Sequence, residues 1–127
     1  PRLSDGTPFP TVYYLTCPRA ASAVGRLEGG GVMREAYETL IFPRIAAWKP
    51  ELILISAGFD AHADDPLAGL EWQARDFGWI TGRICDLADE HCQGRVVSCL
   101  EGGYDLPALA TSVAAHVQEL GRPTDDR

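Results

Sequence analysis

Two short, unbroken apolar runs constrain this chain more than any other feature. Between Pro50 and Gly58, Leu52, Ile53, Leu54 and Ile55 follow one another without a polar residue. The segment 51–57 therefore reads as a strand buried on both faces, where a half-solvated strand would alternate. The second run, 95–100, centres on Val96 and Val97 and stops at Gly102 and Gly103, and it reads as another interior strand. Between them Phe77, Ile80, Ile84, Leu87 and Ala88 recur at helical spacing, which predicts an amphipathic helix over about 72–91, ending before Gly94. Strand, helix and strand in that order predict a parallel pair in an α/β fold with flanking helices.

Helical patterning continues on both sides. Met33, Tyr37, Leu40, Ile41 and Ile45 share one stripe, which Pro43 is expected to kink or divide. After the second strand, Leu109, Ala110, Val113, Ala114, Val117 and Leu120 repeat at the same period, with Pro107 near the first turn. Two parallel strands make a poor sheet alone, because such sheets need neighbours along their edges and helices on both faces. Missing neighbours are expected from a second chain, from a homo-oligomer, or from a strand around Thr11–Thr16, where Val12, Tyr13, Tyr14 and Leu15 favour extended structure. The Gly29-Gly30-Gly31 joint divides an N-terminal segment (1–30) from the α/β part (31–121), and residues 122–127 read as a tail.

The charge balance narrows the partners. With 11 Lys and Arg against 18 Asp and Glu, the net charge of -7 opposes a phosphate backbone, so direct nucleic-acid binding is not expected. Cationic partners are compatible with it. The four cysteines form no C-x-x-C pair and read as reduced, partly buried thiols. No stretch approaches about 18 apolar residues and no signal-peptide pattern opens the chain, so a cytoplasmic protein without a membrane span is the expectation.

In a parallel α/β sheet, ligands bind beyond the carboxyl ends of the strands. The residues in question are Ser56-Ala57-Gly58-Phe59-Asp60-Ala61-His62 after the first strand and Glu101-Gly102-Gly103-Tyr104-Asp105 after the second. Topology alone brings the Asp60 carboxylate, the His62 imidazole and the Tyr104 phenol to one edge. A carboxylate there can bind a metal or act as a base, and a phenol can donate to a developing oxyanion. Structural roles are open to the same residues, with Asp60 capping a turn and Tyr104 covering the sheet edge.

These residues carry a resemblance. The segment 56–62, with Asp65-Pro66-Leu67 downstream, resembles the S-A-G-F-D-A-H-x-x-D-P-L-A stretch of bacterial histone-deacetylase-like amidohydrolases, and Glu101-Gly102-Gly103-Tyr104 resembles that family's E-G-G-Y. The likeness extends over about residues 31–120 and implies part of an arginase/deacetylase-like fold. It implies zinc-dependent hydrolysis of an acetylated amine, such as acetyl-lysine or an acetylpolyamine. By the same resemblance Asp60 corresponds to the third zinc ligand and Tyr104 to the phenol that stabilises the tetrahedral oxyanion. Leu67, Gly102 and Gly103 would line the acyl tunnel, while His62 flanks the ligand without being one.

The family's other two ligands come from a D-x-H segment, and paired histidines follow it as acid and base; neither appears here. His91 and His116 fall in predicted helices, where solvent-facing or satisfied core roles are expected. Asp64 and Asp65 read as loop-ordering or solvated carboxylates. Little hydrolysis is therefore expected of this chain unless another chain restores the missing ligands, and a non-enzymatic remnant or assembly module is the competing reading. Residues 1–32 depart from the deacetylase pattern and resemble an uncharacterised bacterial family of small proteins.

Overall fold

The computed structural model describes residues 31–67 and 69–123. The expected strand around 11–16 and the boundary near Gly30 lie outside them, as do Cys17 and most of the tail.

Helix α1 (Val32–Ala36) runs through a single wide π turn (Tyr37–Ile41) into α2 (Phe42–Trp48). The division falls where Pro43 predicts it. Proline has no N–H to give the Thr39 carbonyl and its ring crowds that oxygen, so the chain widens just before it. The Phe42 N–H accordingly reaches back five residues to the Tyr37 carbonyl. Lys49, left-handed with φ 55°, ends α2 ahead of Pro50.

Strand β1 (Ile53–Ala57) pairs in parallel with β2 (Val96–Leu100), Ile53 opposite Val96 and Ala57 opposite Leu100. Helix α3 (Ala74–Cys92) connects them. It starts with a capping box in which the Gln73 and Asp76 side chains each take the other's backbone N–H. It ends at left-handed Gln93 and Gly94. Helix α4 (Leu106–Leu120) begins at Asp105, whose Oδ1 accepts the Ala108 N–H at 2.9 Å, with Pro107 in its first turn.

Ala57, Phe59 and Phe77 form the centre of the core, and Ile55, Ala61, Trp72, Leu109 and Val113 pack around them. The Phe77 ring lies 5.2 Å from both Phe59 and Trp72. Gly78 lets α4 come close to α3: a side chain there would stand 3.5 Å from the Ala115 Cβ. The α1–α2 arm docks on α3 through Tyr37, Phe42 and Trp79, and through an Arg83–Glu38 ion pair at 3.0 Å.

Three expectations need correction. Neither strand is buried on both faces: Ile53, Ile55 and Ala57 turn toward the helices, whereas Leu54 is 71% exposed and its neighbour Val97 48% exposed. The described helices cover one face only, so half of each apolar run meets solvent. For the same reason Cys99, on the bare face, is exposed rather than partly buried, while Cys85 and Cys92 are buried. In α4 the core-facing ridge is Ala108, Ser112 and His116; Ala110, Ala114 and Val117 of the expected apolar stripe are exposed.

His116 has the satisfied core role expected of it. Thr81 Oγ1 donates to the Phe77 carbonyl at 2.6 Å and so accepts from His116 Nδ1 at 2.7 Å. That leaves Nε2 to accept from Ser98 Oγ at 2.8 Å, tying α3, β2 and α4 together. Burial holds this imidazole below its ordinary pKa, which favours the neutral form that the two hydroxyls require.

Candidate active-site rim

The two strands stay joined beyond their ends. Glu101 N donates to the Ala57 carbonyl at 3.0 Å and Phe59 N to the Gly102 carbonyl at 2.8 Å, so the two loops leave the sheet as neighbours. Phe59 is buried in the core and anchors the first loop. Asp60, the next residue, holds its carboxylate against the glycines of both loops. A side chain on Gly58 would stand 3.0 Å from Asp60 Oδ1, and one on Gly102 would stand 3.1 Å from Oδ2. Gly103 is required on its own account, since its φ of 134° and a Leu109 methyl 2.7 Å from any added Cβ exclude other residues.

Asp60 and Gly102 thus come together at the strand ends, where topology predicts that the two loops meet. Tyr104 and Leu67, on opposite loops, present exposed side chains. What links them is Asp65. Its buried carboxylate accepts Tyr104 N at 2.7 Å and Asp105 N at 3.3 Å on Oδ2, and Leu67 N at 3.0 Å on Oδ1. Burial alone would raise the pKa of this group. The N–H groups of Tyr104, Leu67 and Asp105, with His62 nearby, outweigh that and hold it below the usual aspartate value.

His62 is buried and structural. Its Nδ1 accepts the Asp64 N–H at 3.1 Å, and the residues on either side of it pair with Trp72, Ala63 N donating to the Trp72 carbonyl and Trp72 N to the Ala61 carbonyl. Of the two carboxylates read from sequence as loop-ordering or solvated, Asp65 is the first kind and Asp64, exposed, the second. Sequence reasoning did not reach the span from Asp65 to Tyr104, because 39 residues separate them. Nor did it find the Thr81–His116–Ser98 set, whose members sit in apolar patterns without a distinguishing signal.

A cavity of about 280 Å³ lies on the helix side of the sheet among Ile55, Ala57, Trp72, Phe77, Ile80 and His116. None of Asp60, Leu67, Gly102, Gly103 or Tyr104 lines it, so it is distinct from the rim. Among the described residues, no three His, Cys, Asp or Glu side chains converge as a metal site. Catalytic zinc takes three protein ligands and a water, so Asp60 alone is too little to hold it. No described helix is long and apolar enough to cross a membrane.

Comparison with known proteins agrees with this arrangement. Residues 23–120 match the family "Histone deacetylase domain", and residues 1–44 match "Protein of unknown function (DUF501)". The chain is 46% identical over 97 residues to Histone deacetylase 10, chloroplastic, of Oryza sativa, covering 76% of this chain and 22% of that protein. It is 34% identical over 96 residues to the Histone deacetylase-like amidohydrolase of Pseudomonas aeruginosa, covering 74% of this chain and 25% of that one. Among solved structures, the HDA15 HD domain superposes with a TM-score of 0.64 at 32% identity over 69% of this chain and 24% of its own. The chain therefore spans about a quarter of these relatives. Its parallel sheet and helices are a portion of the deacetylase-like α/β fold. By the match across most of its length, this chain belongs to the histone deacetylase family.

Proposed function

We propose that the chain supplies one wall of a zinc-dependent deacetylase site that hydrolyses an acetylated amine, such as acetyl-lysine or an acetylpolyamine, once the other ligands are in place. Asp60 would be one ligand of the zinc. Tyr104 donates its phenol proton to the oxyanion that forms as water adds to the acetyl carbonyl, and Leu67, Gly102 and Gly103 flank the acyl group. Amide hydrolysis is slow because the carbonyl is a weak electrophile, and a donor already in place where negative charge develops lowers the barrier without reorganisation. The observation that carries this reading is the stitched pair of loops, with Phe59 N on the Gly102 carbonyl and the Asp60 carboxylate between Gly58 and Gly102.

The rest of the site belongs to the three quarters of the relatives' length that this chain does not match. Parallel sheets are covered on both faces, so the bare face bearing Leu54 and Val97 is where a complementary polypeptide packs. A non-enzymatic assembly module is favoured instead by the lack of a converging ligand set among the described residues. Complementation separates the two. The 127-residue chain is mixed with the Pseudomonas amidohydrolase lacking its matching segment, and acetyl-lysine turnover is followed with added zinc. Turnover that appears on mixing and disappears with Asp60→Ala and with Tyr104→Phe is expected. A stable complex that never turns over would leave the assembly module as the answer.

A further inference from the structure

Resting on the deacetylase reading above, we infer that Asp65 is a positioning residue that sets Tyr104 and Leu67 in fixed relation across the two loops. Neither of those side chains is held by burial: Tyr104 is 57% and Leu67 66% exposed. What fixes the direction in which each leaves the backbone is the anchor at its own N–H, and both anchors are the same carboxylate. Oδ1 serves the acyl-facing residue of its own loop, and Oδ2 serves the oxyanion donor of the other.

The chemistry of this clamp requires an ionised acid. Three backbone donors converge on two oxygens, and a protonated acid or an amide would place a donor where an acceptor is needed. Asp65 is itself held firmly, its N–H on the His62 carbonyl at 2.9 Å in the stretch where Ala61 and Ala63 pair with Trp72. The bond to Asp105 N extends the clamp to the first residue of the α4 cap. A donor contributes to catalysis only if it waits at the position of the oxyanion, and displacements near 1 Å cost on the order of a hundredfold in rate. Asp65 touches no reacting atom in this account; it acts through Tyr104.

The clamp can be read in the full chain whether or not it turns over. In labelled wild-type protein, hydrogen-bond scalar couplings are expected from the Asp65 carboxyl carbon to the amide nitrogens of both Tyr104 and Leu67. Asp65→Asn is expected to raise amide exchange at Tyr104 and Leu67 by about tenfold or more, and to average the Tyr104 χ1 couplings. Ile55 and Ser98 amides in the strands should stay protected. Asp65→Glu, which keeps the charge, should restore part of the Tyr104 protection. Absent couplings in the wild type, or protection falling equally everywhere in Asp65→Asn, would overturn the clamp. In the complemented preparation, Asp65→Asn should lower kcat more than it raises KM, and most of the loss in kcat should vanish once Tyr104 is Phe. Intact couplings without any turnover sink the deacetylase reading alone, and turnover without couplings sinks the clamp alone.

Discussion

The two faces of this small sheet come from the same ten residues and meet opposite fates. Ile55 and Ala57 look onto Phe59, Phe77 and Val113, whereas Leu54, Ser56, Val97 and Cys99 look onto solvent. Side chains alternate along a strand, so an unbroken apolar run encodes two buried surfaces. The helices of this chain satisfy one of them. The second is evidence, written into the sequence, of a packing partner that the described residues do not contain, and it agrees with a chain that spans about a quarter of its relatives.

That comparison is most severely tested by substitutions on the two faces. Phe77→Ala removes a ring that packs at a tilt against both Phe59 and Trp72, and it should cost about 3–5 kcal/mol in a urea unfolding curve. Leu54→Lys on the open face should stay within about 0.5 kcal/mol in the same experiment. Equal losses would mean that the open face is covered after all. The rim should behave like the open face in stability but not in function. Tyr104→Phe is expected to leave unfolding unchanged while raising the barrier to deacetylation by about 2.7–4 kcal/mol in a complemented preparation.

On the covered face, the His116 set gives a dependence on pH. Its folded pKa lies below the ordinary value of 6.5, so the unfolded chain takes up the proton first. The stability contributed by His116 is therefore complete above about pH 6.5 and declines as pH falls below it. Unfolding free energies measured on either side of that value, in wild type and in His116→Gln, should show a slope in the first and a flatter profile in the second. The smallest effect is a gain. Gly78→Ala meets only ordinary contact with Ala115 and adds helix propensity, so α3 should be stabilised by about 0.5–1 kcal/mol; a loss would mean that the α3–α4 contact has no slack.

Much of the fold was legible because local rules carried it. The runs at 53–55 and 96–97 gave the strands, the spacing of Phe77, Ile84 and Ala88 gave α3, and Pro43 marked the break before α2. The order of the elements also brings the loops bearing Asp60 and Tyr104 to one edge, because strand ends in a parallel pair share it. What sequence could not show was set by packing between distant segments. The apolar run at Leu54 looks the same whether or not a partner is present. Ala108, Ser112 and His116 are buried beside Leu109 and Val113, whereas Ala110, Ala114 and Val117 are exposed, because the face of α4 that packs is set by its contact with α3 and the Phe59–Phe77 cluster. Asp65 reads as one more loop acid until its carboxylate is seen on the Tyr104 N–H.

The most direct measurement is zinc content of the purified 127-residue chain, taken together with acetyl-lysine turnover in the same sample. A site walled on one side only should hold zinc weakly, well below one ion per chain after dialysis, and should show no turnover. One tightly held zinc per chain with robust hydrolysis, both lost in Asp60→Ala, would contradict the account.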